Sequence, residues 1–150
     1  MDAELAPMRL RRAIRQLRPG ILVMMGEAGG SREIRLESTA WNGLDFRIPD
    51  AAGRQPSGMP IREGAPGSLQ ASLPLQRLCD VLAEGGHPVT LSDDPGRYLC
   101  NQVFFEAMHA LDRWSIDCAA GFVHLPLETD YATPRAVAAL REILVELGHR

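Results

Sequence analysis

Short apolar runs alternate along this chain with segments whose apolar residues recur at helical spacing, and Gly or Pro separates most of them. That alternation predicts an α/β fold, a three-layer α/β/α sandwich with helices on both faces of a mostly parallel sheet. The length of 150 residues fits a single domain over 1–150. A chain of this size buries roughly 70% of its unfolded surface, enough for a substantial core.

The elements follow in order. Residues 8–17 place Leu10, Ala13, Ile14 and Leu17 on one helical face, and Pro19-Gly20 stops the helix. The run ILVMM, residues 21–25, is continuously apolar, as in a strand buried inside a parallel sheet. It leads into the glycine-rich turn GEAGG. IRLESTAWN, from Ile34, reads as a second strand. Residues 45–68, DFRIPDAAGRQPSGMPIREGAPGS, are rich in Gly and Pro and predict a long loop, which in a compact domain often carries function. Residues 74–84 set Leu75, Leu78, Cys79 and Leu82 on one face, with Pro74 at the first helical position and Gly85-Gly86 as the stop. PVTLS is a strand and DDPG a turn. From Cys100 to about residue 113 a helix carries the stripe Val103, Phe104, Ala107, Met108 and Leu111. IDCAAGFVHLPL is a strand closed by Pro126. The last helix has Thr133 as N-cap, Pro134 at its first position, a stripe of Val137, Leu140, Ile143, Leu144 and Leu147, and Gly148 as its stop.

Composition narrows the function classes. Hydrophobic residues make up 45% and charged residues 23% of the chain, as in an ordinary globular protein. The net charge of −3 gives no footprint for nucleic acid or an anionic membrane. All 16 basic residues are Arg, which reads as a compositional bias. Cys79, Cys100 and Cys118 are too few and too scattered for a disulfide framework and point to a reducing compartment. There is no run of about 18 apolar residues, and the first 20 residues lack the apolar centre of a signal peptide. A cytoplasmic protein is therefore expected, with no nucleic-acid or membrane partner.

Cys100 is the first residue with chemical promise. It lies at the predicted start of a helix, just after a strand and a turn. A helix N-terminus carries partial positive charge that favours thiolate over thiol, and a strand–turn–helix corner exposes the side chain it carries. The alternative is a small buried hydrophobe, as most free cysteines are, and position alone leaves both open. Cys79, on an apolar helical face, and Cys118, inside a predicted strand, read as packing residues. His124 sits at a strand end in FVHLPL, where it could serve a thiol as base and later as acid. His109 lies about 13 Å along the Cys100 helix, His87 in a loop, and His149 at the chain end. Candidates to orient the imidazole are Glu37, Asp45, Asp50, Asp93 and Asp94, and the sequence does not rank them. In an open α/β sheet such groups gather at the carboxyl ends of the strands. Gly26, Asp93 and His124 fall at or near predicted strand ends. Neither the cysteines nor the histidines show ligand spacing for a metal. GEAGGSREI lacks the Lys-Ser/Thr of a P-loop and is incomplete as a dinucleotide fingerprint, so no cofactor is expected.

Four segments together resemble pyroglutamyl peptidase I, the pyrrolidone-carboxylate peptidases, a family of cytosolic cysteine exopeptidases. GEAGGSREIRLESTAWN is similar to the family's glycine-rich segment and glutamate motif, DFRIPD to its Asp-Ala-Arg-Ile-Pro-Asp motif, GRYLCN to its nucleophile motif and GFVHLP to its histidine motif. ASLPLQRLCDVLAEGGHPVTLSDDPG follows the pattern between them. The resemblance implies Cys100 as nucleophile, His124 as base and acid, and Glu37 as orienting carboxylate. It puts Arg47 near the oxyanion, Ile48, Tyr98 and Leu99 along the substrate pocket, and Glu27 in the turn whose backbone holds the lactam. The implied reaction is removal of an N-terminal pyroglutamyl residue from a peptide through a thioester. Homo-oligomers are common in the family.

The chain departs from the pattern in three residues and at its front. Glu27 replaces a usual glutamine, Ser31 a common arginine, and Pro95 enters the turn before the nucleophile. The family's opening strand and its GF-x-PF motif, roughly its first third, have no counterpart here. Two further readings follow: a truncated non-catalytic member (pseudoenzyme, gene fragment or interaction module), or another α/β cysteine hydrolase such as an amidohydrolase for a different acyl group.

Overall fold

The computed structural model describes residues 1–148. Four strands form the central sheet: β1 (Ile21–Glu27), β2 (Ile34–Glu37), β7 (Val89–Ser92) and β8 (Ala119–Leu125), in the order β1-β8-β2-β7. β1 runs parallel to β8 and β2 parallel to β7, while β2 and β8 are antiparallel. Two of the three pairings are thus parallel, and one antiparallel seam joins the two parallel pairs. His124 stands opposite Arg35 across that seam and Phe122 opposite Glu37.

Helices cover both faces. On one side α3 (Leu99–Arg113) packs on β1 and β8, and α1 (Leu5–Leu17) packs on α3, around Ile14, Met24, Phe104, Phe105 and Phe122. On the other, α2 (Leu75–Glu84) and α4 (Thr133–Gly148) enclose Ile34, Leu36, Leu78, Leu82, Val123 and Ile143. Alternation along β8 divides its side chains between the two layers: Ala120 and Phe122 enter the first core, Val123 the second. Each fully buried Leu, Ile or Phe contributes roughly 1.5–3 kcal/mol relative to exposure.

Several elements differ from the sequence expectation. The 21–25 run is an edge strand rather than an interior one, with Ile21 and Met25 exposed. An apolar run reports burial on some side and does not reveal the strand's place in the sheet. IRLESTAWN divides at Ser38 into β2 and β3 (Thr39–Trp41), which leaves the sheet to pair with β6 (Ser68–Gln70). Residues 45–68 contain short ladders as well as loop: β4 (Leu44–Asp45) pairs with β5 (Ser57–Met59). α3 buries far more than one stripe, including Asn101, Phe105 and Glu106, because α1, β1, β3, β6 and β8 all pack against it. On α4 the buried line is Ala139, Ile143 and Leu147, while Val137 and Leu144 are exposed, because the face toward α2 is rotated from the predicted stripe. Gly148 is that helix's last residue, and Thr133 lies within its first turn with its hydroxyl donated to Glu128. Pro74 occupies the N-cap of α2 rather than its first turn. His149 lies outside the described residues.

The long segment after β4 is held from the chain's N-terminus. Buried Asp50 accepts the backbone N–H of Ala3 at 2.8 Å, of Ala52 at 2.9 Å and of Arg54 at 2.8 Å. The Ala3 N–H first, with the other donors and the Arg54 guanidinium, holds its carboxyl at about 2 against an ordinary 3.8. A lowered carboxyl stabilises the fold above its unfolded value, and that stabilisation is lost as pH falls through about 2. Urea midpoints measured from pH 5 to pH 2 should therefore fall more steeply in the wild type than in Asp50→Asn. Equal slopes would contradict this account of Asp50.

Candidate active site

Cys100 opens α3 one residue after Leu99, in a strand–turn–helix corner. Gly96, at φ +78°, supplies the left-handed backbone of the turn. The corner is fixed by Asn101, fully buried, which accepts Trp41 N–H at 2.8 Å and donates to the carbonyls of Trp41 at 2.9 Å and Gly43 at 3.1 Å. Trp41 in turn gives its indole N–H to the carbonyl of Asp93 at 2.8 Å.

Facing this corner on the sheet is the pair His124 and Glu37. Both are buried, Glu37 completely, and His124 Nδ1 lies 2.8 Å from Glu37 Oε1. A carboxylate only accepts, so Nδ1 carries the proton and Nε2 is left for Cys100. Burial would lower the imidazole's pKa. Contacts with Cys100 and with Glu37 outweigh it and raise the value to about 9. Phe122 packs on the imidazole with ring centroids 4.8 Å apart. Gly26, the β1 neighbour of His124, is a space requirement: a Cβ there would stand 2.9 Å from Cys100 Sγ and 3.1 Å from Phe122 Cζ.

A cleft of about 480 Å³ opens over these groups. Its walls include Glu27, Arg35, Asp45, Arg47, Asp94, Arg97 and Tyr98 as well as Cys100 and His124. Of the five residues expected along a substrate pocket, Glu27, Arg47 and Tyr98 line it. Leu99 does not: it is buried with Ala3 and Phe46, since the first turn of α3 points it away from the opening. Ile48 is 62% exposed and lies outside the cleft wall. The site also does not sit at a common carboxyl edge. β2 runs against β8, so their carboxyl ends point apart, and Glu37 and His124 meet on the face of the sheet beneath α3.

The other candidates lie elsewhere or act structurally. Asp50 anchors the N-terminus, and Asp45 accepts the Ser57 hydroxyl at the rim. His87 bonds Tyr131 and Glu142. His109 stacks on Phe105, its basicity lowered by burial and by Arg11 and Arg62. Burial, then a neighbouring aspartate, pushes the Cys79 and Cys118 thiols up, and Cys118 falls just before β8 rather than within it. Among the described residues no group of three or more His, Cys, Asp or Glu is disposed to hold a metal, and no helix is long and apolar enough to cross a membrane. Sequence reasoning missed Arg35, which lines the cleft and touches Glu37. Its signal was the alternation Ile34-Arg35-Leu36-Glu37, which puts Arg35 and Glu37 on one face.

A family model described as pyroglutamyl peptidase matches residues 5–138. The chain belongs to the pyroglutamyl peptidase family. It is 36% identical over 124 residues to the pyrrolidone-carboxylate peptidase of Brevibacillus brevis, covering 83% of this chain and 58% of that protein. It is 35% identical over 136 residues to that of Thermococcus kodakarensis, covering 89% and 66%. Among solved structures, the pyrrolidone carboxyl peptidase from Thermococcus litoralis superposes with a TM-score of 0.90 at 30% identity, over 97% of this chain and 72% of that one. Pyroglutamyl peptidase I from Bacillus amyloliquefaciens gives 0.86 at 30%, over 93% and 70%. The chain thus spans 54–58% of the length of several curated relatives.

Two outcomes test this geometry. The contacts of His124 with Cys100 and with Glu37 stabilise the fold fully below the unfolded imidazole value of 6.5, and that effect is lost as pH rises through about 9. In Glu37→Gln, the His124 resonance followed by NMR should titrate at least about one unit lower, and an unchanged titration would refute the pairing. At neutral pH, Cys100 should take iodoacetamide ahead of Cys79 and Cys118. Gly26→Ala should remove that lead and cost about 1–3 kcal/mol of stability. Wild-type labelling kinetics in that variant would show the space at Gly26 to be unimportant.

Proposed function

We propose that this site removes an N-terminal pyroglutamyl residue from a peptide, with Cys100 as nucleophile, His124 as base and acid, and Glu37 as the carboxylate that orients the imidazole. The observation that carries the reading is the buried Glu37–His124 pair beneath Cys100, in a chain of the pyroglutamyl peptidase family. Relatives over most of its length are named pyrrolidone-carboxylate peptidases, and pyrrolidone carboxylate is pyroglutamate. The three free cysteines fit a cytoplasmic setting.

The chemistry follows from the placement. His124, held by Glu37, takes the Cys100 proton, and the thiolate attacks the carbonyl carbon between the pyroglutamyl ring and the next residue. The first-turn N–H groups of α3 have no acceptor within the helix. With the Arg47 guanidinium at the cleft wall, they supply charge for the oxyanion. The imidazolium then protonates the leaving amine, which departs and leaves a thioester. Water, deprotonated by His124, attacks the thioester carbon, and the thiol leaves as free pyroglutamate is released. The ring is compact and uncharged. The cleft matches it in net charge, with Arg35, Arg47 and Arg97 balanced by Glu27, Asp45 and Asp94. Tyr98, its hydroxyl donated to the carbonyl of Pro49 at 3.2 Å, provides an apolar ring on that wall.

Hydrolysis of a pyroglutamyl-arylamide tests the reading. Turnover should fall by about 10³-fold or more in Cys100→Ala and in His124→Ala, and glutamyl- and alanyl-arylamides should be poor substrates. Folded protein whose Cys100 reacts with iodoacetamide, yet which gives no turnover on the pyroglutamyl substrate, would overturn it.

A further inference from the structure

Arg35 occupies a position that the chemistry just described does not use. It stands opposite His124 across the antiparallel seam and two residues before Glu37, on the same sheet face as both. Its guanidinium donates to Ser92 Oγ at 2.5 Å and to the carbonyl of Asp94 at 2.6 Å. Ser92 is the β7 partner of Glu37 in the parallel ladder. The arginine therefore reaches across Glu37 from β2 to β7 and ends on the turn that leads to Cys100. Its Nε lies 3.4 Å from Glu37 Oε1, the oxygen that also holds His124. Glu37 Oε2 is buried without a hydrogen-bond partner among the described residues, so Oε1 is shared between one imidazole and one guanidinium.

The other charged and titratable groups around Cys100 and His124 are engaged differently. Glu27 lies at the exposed end of β1, Asp45 is paired with the Ser57 hydroxyl, and Arg47 is exposed at the cleft wall. In the turn, Arg97 bonds Asp94 at 2.6 Å and lies over the Trp41 ring at 4.9 Å, and Tyr98 reaches the carbonyl of Pro49. Among the described residues, Arg35 is the arginine that contacts the Glu37 carboxylate beside His124. Its side chain is 30% exposed, so solvent screens it in part. Two short bonds nevertheless fix its orientation, as a planar guanidinium allows and an ammonium does not.

We infer that Arg35 is a positioning residue for the Cys100–His124 pair: its guanidinium shares the Glu37 carboxylate with the imidazole and clasps the turn before Cys100, setting the pH range over which the pair is reactive. A positive charge here favours the thiolate and disfavours the imidazolium, so it moves both proton losses of the pair to lower pH. The inference rests on the peptidase reading for its biological use, whereas its test does not require turnover.

The test is the pH dependence of Cys100 alkylation by iodoacetamide, read by mass spectrometry in the wild type, Arg35→Gln and Arg35→Lys. Both limbs of the profile should move up by about half a pH unit or more in Arg35→Gln. In Arg35→Lys they should stay near the wild-type positions, because the charge remains, while the maximal rate falls as the Ser92 and Asp94 contacts are lost. Unmoved limbs in Arg35→Gln would overturn the inference, as would limbs in Arg35→Lys displaced as far as charge removal predicts. The lysine variant keeps the inference falsifiable if Arg35→Gln does not fold. A shifted alkylation profile in protein that never cleaves a pyroglutamyl-arylamide would sink the peptidase reading and leave Arg35's role standing.

Discussion

A charged carboxylate with no solvent exposure is the constraint around which this molecule is arranged. Glu37 sits among β-strands at 0% exposure, where an unpaired charge would cost several kcal/mol. His124 supplies the compensating proton donor, and Arg35 a second, looser contact. Once that pair is buried, much of its neighbourhood is dictated. Phe122 packs its ring against the imidazole. Position 26 must lack a side chain so that the sulfur of Cys100 can enter. The first turn of α3 must be tied to β3, which Asn101 does with three hydrogen bonds to Trp41 and Gly43. The polar site and the apolar core share one layer, and α3 belongs to both.

Local signals in the sequence carried the element list well. Helical spacing marked all four helices, and the strand–turn–helix corner at Cys100 was legible from DDPG and the amphipathic run after it. What could not be read was long-range. Five acidic residues competed to orient His124, because the answer depends on the register between β2 and β8, 87 residues apart at the decisive pair. A resemblance to a known family singled out Glu37 where spacing could not. The edge position of β1 and the exposure of Val137 and Leu144 were hidden for a related reason: periodicity says that a face is apolar, and only tertiary packing says which neighbour, if any, covers it. Leu99 and Ile48 differ from the expected pocket lining for separate reasons: Leu99, in the first turn of α3, enters a small core with Ala3 and Phe46, while Ile48 lies exposed on the loop after β4.

Charged side chains make up much of the cleft wall. Three guanidinium groups and three carboxylates surround Cys100, and several of them bond one another or the backbone rather than pointing into open space, as Arg97 does to Asp94 and Arg35 to the Asp94 carbonyl. Such internally paired charges hold a loop in shape without presenting a net field to a ligand. Beneath them, the missing side chain at Gly26 leaves the space that the Cys100 sulfur and the Phe122 ring occupy.

The antiparallel seam between β2 and β8 has one more consequence. Along β2, Ile34 and Leu36 enter one core while Arg35 and Glu37 face the other way. A slip of one residue would send two charged side chains among leucines and two aliphatic ones under α3. No partially correct pairing is therefore comfortable, and a chain that reaches its folded state has already put its acid beneath its base.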